Sequence, residues 1–316
     1  MEHPAPAQDE LDEERQEQDS VRLSRLCRAL KELLADVSGP LTPQSFLDDI
    51  SSFVTYLPLN IDGTNSGPLY FLPRTELDQE IKDALASTWH KLDDGNADWV
   101  YPDWRSGWFI RGWGYVIDDD HDWAYDAASK DWYFCSRRNE VLADYGLDLP
   151  CYSHPPNRVP KWEYMSDFAF LPRKDDVPHL ACVLSDTNGM QPSQPNVTLG
   201  EMHAILALLA HPFACGKYSE HSIKPAMIFA FQHDRYARIT QAHFDCDRER
   251  VVIRQSRAID LRDETAPEDA FILLRWMLST PTGDTKYKKV EENHKSPETE
   301  PPPDADQPLS NAIEVR

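Results

Sequence analysis

The sequence predicts an α+β fold with N-terminal helices, an aromatic β-meander and a C-terminal mixed sheet packed by two helices. Three observations carry that prediction. Apolar residues recur at helical spacing through residues 20–92. Near residue 164 the pattern changes to short β-rich runs separated by polar turns. From there the order reads strand, strand, helix, three strands, helix, with no internal repeat.

Residues 1–19 are dominated by Pro, Glu, Gln and Asp, offer little to bury, and are expected to be disordered until Asp19 or Ser20 caps a first helix. That helix, VRLSRLCRALKELLADV, carries Leu23, Leu26, Leu30, Leu33, Leu34 and Val37 at helical spacing. Arg22, Arg25 and Arg28 occupy another side, and SGP at 38–40 stops the helix. Barely two heptads of pattern favour a core-facing helix over a coiled coil. Thr42 and Pro43 read as the start of a short helix through SFLDDISSFV. Thr75 and Asp78 open ELDQEIKDALASTWHKL, whose Leu77, Ile81, Leu85, Trp89 and Leu92 make one stripe. The intervening IDGTNSGP at 61–68 is a loop without the glycine spacing of a phosphate-cradling motif.

Six of the nine tryptophans fall between Trp99 and Trp132, around the run WFIRGWGYVIDDDHDWAY at 108–125. Asp118, Asp120 and Asp122 alternate as in a calcium loop, but the sixth and twelfth positions hold Trp123 and Ser129 in place of glycine and a bidentate acid. The stretch therefore reads as strand, polar turn and strand, with DWYFCSRR as a third strand whose aromatics pack on one another. Trp108, Trp113, Tyr115 and Trp123 are its candidate partner-binding residues, and no metal is expected there.

In the second half, YMSDFAFLP and HLACVLSD read as strands and TLGEMHAILALLAH as a helix. PAMIFAFQH, YARITQAHFD and RVVIRQ read as three more strands, and APEDAFILLRWMLST as a closing helix. MIFAF is apolar on both faces, so it should be central and covered. One globular body over 20–285 follows, with a sub-boundary near 150–160 and an acidic, proline-rich tail over 286–316 that has nothing to bury.

The net charge of −22 is uneven: residues 1–150 hold 13 basic and 30 acidic side chains, whereas residues 151–289 hold 17 of each. Such a field repels phosphate backbones and argues against non-specific nucleic-acid binding. Six cysteines without CxxC spacing argue against a disulfide framework. The first residues lack the basic and apolar regions of a signal peptide, and no run approaches a membrane span. A cytoplasmic or nuclear protein without membrane contact is the expectation.

No stretch forms a specific catalytic motif. There is no GxSxG, and His203, His211, Cys215, His243 and Cys246 do not have zinc-finger or ribbon spacing. The order of YMSDFAFLP, HLACVLSD, helix and strand resembles that of the PD-(D/E)XK nuclease superfamily. That resemblance implies an acid on one strand and Glu-x-Lys on the next, holding a divalent metal. Asp167 stands for the first acid, with Asp186 and Glu201 as the other candidates, but ACVLSD contains no Glu-x-Lys and no lysine. Thr198-Leu-Gly-Glu201 also reads as a capping box, a plainer role for Glu201.

The segment PAMIFAFQHDRYARITQAHFDCDRERVVIRQSRAIDL, followed by FILLRWMLSTP, resembles a family of filamentous-fungal proteins of unknown function over about residues 160–282. The resemblance implies an intracellular globular protein and brings no activity with it. The expectation is a non-enzymatic interaction or accessory protein, without a cofactor and with a protein partner. A divergent metal-dependent nuclease-like enzyme is the alternative.

Overall fold

The computed structural model describes residues 8–35, 41–89, 131–136, 164–186, 197–232, 236–263 and 265–288. The aromatic run at 108–125, with Trp108, Trp113, Tyr115 and Trp123, lies outside the described residues, as does the tail beyond 288. The chain is α+β, built on a mixed sheet. Its elements are α1 (Gln8–Ala35), α2 (Gln44–Ile50), β1 (Val54–Pro58), β2 (Phe71–Leu72), α3 (Gln79–Trp89) and β3 (Trp132–Ser136). They continue as β4 (Tyr164–Pro172), β5 (Leu180–Asp186), α4 (Leu199–Ala214), β6 (Ile223–Gln232) and β7 (Tyr236–Asp245). Then come β8 (Arg250–Gln255), β9 (Ile259–Asp260), α5 (Glu268–Met277) and β10 (Thr280–Pro281).

The main sheet runs β1-β8-β7-β6-β5-β4-β3, with β9 alongside β7. β5 and β6 are parallel and joined through α4, as are β1 and β8 through a long connection; the other neighbours are antiparallel. β6 is buried at every position, as its two-faced apolar sequence requires.

Two cores sandwich the sheet. On one face lies α4, buried along all of its length between the sheet and α1. A helix apolar all round is stable only when covered on every side, and α1 supplies Leu26, Leu30 and Leu33 to its outer flank. On the other face, α3 and α5 cover Ala181, Val183, Phe229 and Ile239. Trp89 and Trp132 are buried there, and each indole N–H donates to a backbone carbonyl, of Asp263 at 2.9 Å and Ser279 at 2.8 Å.

Several details depart from the sequence expectation. α1 begins at Gln8, inside the stretch read as disordered, where exposed i,i+3 and i,i+4 pairs such as Arg15 with Asp12 and Gln18 with Glu14 extend it. Arg22, assigned to the polar side, is buried: it donates to Asp19 at 2.8 Å, Glu249 at 2.7 Å and the Cys246 carbonyl at 3.2 Å, pinning α1 to the β7–β8 turn. Leu34, assigned to the stripe, is exposed. SSFV does not continue α2; Val54 instead opens β1, which pairs with β8. No described helix is long and apolar enough to cross a membrane.

Candidate functional site

Strands β1, β5, β6 and β8 all end at the same edge of the sheet, and α4 starts there. Clefts in mixed α/β sheets form beyond such carboxyl ends, where a helix N-terminus faces them. Thr198 caps α4 by accepting from the Glu201 N–H at 3.1 Å, and Glu201 accepts from the Thr198 N–H at 2.9 Å. The capping box read from the sequence is present.

Glu201 does more than cap. Its side chain has no solvent exposure and turns down onto the sheet, where Arg238 donates from Nε at 2.9 Å and from Nη2 to the other oxygen. Thr240 Oγ1 donates at 3.1 Å and Gln255 Nε2 at 3.5 Å. A carboxylate offers about four lone-pair positions, and five donors converge on this one. The carboxylate is filled, and no lone pair is left for a metal ion.

Asp186 is the last residue of β5, 2% exposed, on the α4 side of the sheet and paired in register with Gln232. Asp167 lies on the neighbouring β4, where the register shifts between Ser166 and Phe168, a bulge in the ladder opposite β5. Its side chain lies outside the described residues. The topology thus brings Asp167, Asp186 and Glu201 to one end of the sheet, but among the described residues no group of three His, Cys, Asp or Glu side chains could hold a metal ion.

Among the described residues, Lys224 is the lysine of the central strand β6, and it stands eight positions from Gln232, roughly 26 Å along the strand. It is fully buried, donating at 2.5 Å to the carbonyls of Tyr218 and His221, and burial lowers its pKa. Lys224 therefore anchors the loop before β6 at the opposite end of the sheet. Cys27, Cys182, Cys215 and Cys246 form no disulfide, and burial pushes the Cys246 thiol up to about 11. That suits a small core residue and not a nucleophile.

Sequence reasoning found Glu201 and its cap but missed Arg238, Thr240 and Gln255. The available signal was Arg238 and Thr240 at alternate positions, on the face of β7 that continues with the apolar Ala242 and Phe244. The chain matches no family model, no curated protein and no solved structure.

Proposed function

We propose that this chain is a non-enzymatic accessory protein of the cell interior that acts by binding a partner chain. The observation that carries the reading is the outer edge of β1. Val251 donates to the Phe53 carbonyl and Leu59 to the Gln255 carbonyl, so the backbones of odd-numbered residues address β8. Those of Val54 and Tyr56 then point away from the sheet, and among the described residues β1 has no second strand beside it. Tyr56 is 45% exposed on that edge. An unpaired edge with an exposed aromatic is the template used when an extended segment adds a strand to a sheet. Pro58, without an N–H, limits the edge at its far end. Trp108, Trp113, Tyr115 and Trp123 are a second proposed contact region, on the aromatic content of the sequence alone.

The test compares the full chain with Tyr56→Lys. The variant should keep its thermal midpoint and lose a partner that the native chain retains in purification and after reconstitution from purified components. Retention of that partner by both proteins would remove β1 from the account.

The second reading, a divergent nuclease-like enzyme, is favoured by the placement of Asp167 in a bulge beside the strand that ends at Asp186, ahead of a parallel β5–α4–β6 crossover. It predicts cleavage of DNA or RNA with magnesium or manganese that Asp167→Asn abolishes at unchanged stability. The accessory reading predicts no cleavage with either metal.

A further inference from the structure

On the face of the sheet opposite α4, β8 presents Arg250, Val252 and Arg254, while Val251 and Ile253 enter the core beneath α4. Across from them on β7 stand Asp245, His243 and Gln241 in register. Arg254 is 5% exposed, and its only described hydrogen bond runs from Nη1 to the Ser66 carbonyl at 2.8 Å. Its Nε is buried without a partner, as is the Nε of half-buried Arg250. Asp245, the acid opposite Arg250, is taken by Arg248, whose backbone N–H donates at 3.1 Å and guanidinium at 2.8 Å.

A guanidinium cannot shed its proton, and burying it without an opposite charge costs several kcal/mol, so folded proteins pair such groups. Arg254 and Arg250 make no ion pair among the described residues. His243 lies between them, 8% exposed, its ring 4.8 Å from that of Tyr70. Burial lowers the His243 pKa to about 4; the Asp245 carboxylate pushes it up, and the charges of Arg254 and Arg250 push it down. The ring is therefore neutral at physiological pH and supplies no balancing charge.

The cover over this cluster is thin. Gly67 lies in the exposed 62–68 loop at φ +81°, and a Cβ there would stand 3.1 Å from Arg254 Nη2. Glycine leaves the guanidinium edge clear just beneath the surface loop. Loop shape is fixed from within: the Asn60 N–H donates to Asn65 Oδ1 at 2.7 Å, and Asn65 Nδ2 returns a bond to the Asn60 carbonyl at 2.7 Å.

We infer that Arg254 and Arg250, with His243 and Tyr70 between them and the Gly67 loop above, form a binding site for a phosphate group. Arg254 supplies the buried donor edge, and Arg250, four positions along the same strand, adds a second positive charge and another unpartnered Nε, which together favour a multiply charged oxyanion over a carboxylate. Among the described residues, exposed Asp284 and Asp245, which Arg248 holds, are the acids whose charges reach Tyr70, so the site favours one compact anion and not a polyanion. It stands independently of whatever occupies the β1 edge.

Titration of the full chain with inorganic phosphate, at ionic strength matched with chloride, should show saturable one-to-one binding and a raised thermal midpoint. Arg250→Gln removes no side-chain hydrogen bond recorded among the described residues, so it should keep its fold and weaken phosphate about tenfold. Gly67→Ala should weaken phosphate as well, and Arg254→Met should bind none while unfolding no earlier than the native chain without phosphate. Absence of saturable binding, or equal affinity in Arg250→Gln, overturns the site. Acetate binding as tightly as phosphate overturns the assignment of the ligand.

Discussion

The two faces of the sheet each bury an arginine, and they treat it in opposite ways. Under α4, Arg238 meets Glu201 in a two-pronged pair, and Thr198, Thr240 and Gln255 complete the carboxylate. On the other face, Arg254 meets one backbone carbonyl and, among the described residues, no acid. A closed network holds structure in place because removing any member strands the rest. An open one leaves donors without a partner among the described residues. Burial alone therefore does not distinguish a structural charge from a functional one; the state of its partners does.

The sharpest way to break this contrast is Glu201→Ala. It deletes the helix cap and leaves Arg238 buried without its counter-charge, which should cost about 3–5 kcal/mol in denaturant unfolding. A loss under about 1 kcal/mol, the usual value of an exposed pair, would show that the network is hydrated and not closed.

Acid should come next. Burial lowers His179, His211 and His243 to about 4, against 6.5 for a free imidazole. Between those values the unfolded chain binds the protons that the folded chain refuses, so the contribution of these residues is complete above pH 6.5 and is lost as pH falls toward 4. The slope is at most about 1.4 kcal/mol per pH unit for each histidine. Thermal midpoints from pH 7 to 4 should fall accordingly, and His243→Gln should flatten the fall. An unchanged acid profile in that variant would place His243 in contact with water.

Gly283→Ala probes the cover over the open cluster. Gly283 has φ +91°, and a Cβ would stand 2.9 Å from the Tyr70 ring, so a loss of roughly 1–3 kcal/mol is expected. A neutral result would mean that the turn after β10 shifts freely over Tyr70. The smallest effect belongs to Arg250→Gln, within about ±0.5 kcal/mol by calorimetry, because no side-chain hydrogen bond recorded among the described residues is lost. A large loss there would mean that Arg250 already has a structural partner.

The sequence by itself determined the elements whose signals are local. The apolar run of β6, the stripe of Ile81, Leu85 and Trp89, and the Thr198–Glu201 box each depend on residues a few positions apart, and each appears where the pattern places it, whereas Leu77 joins the same core from just before α3. β1 was not legible, because VTYLP becomes a strand only by lying beside β8, some two hundred residues later. Arg22 reads as polar in a helical wheel, yet Cys246 and Glu249 make it a buried anchor. The same limit applies to the sites. Asp167, Asp186 and Glu201 could be named as acids from the sequence, and Arg250 and Arg254 as cations on a basic strand. Which charge would be cancelled could not be named, because a counter-charge is a neighbour in space. Tertiary packing decided that Glu201 is closed by Arg238 and that Arg254 is left to the Gly67 loop, since electrostatic pairing depends on distance and burial and not on order along the chain.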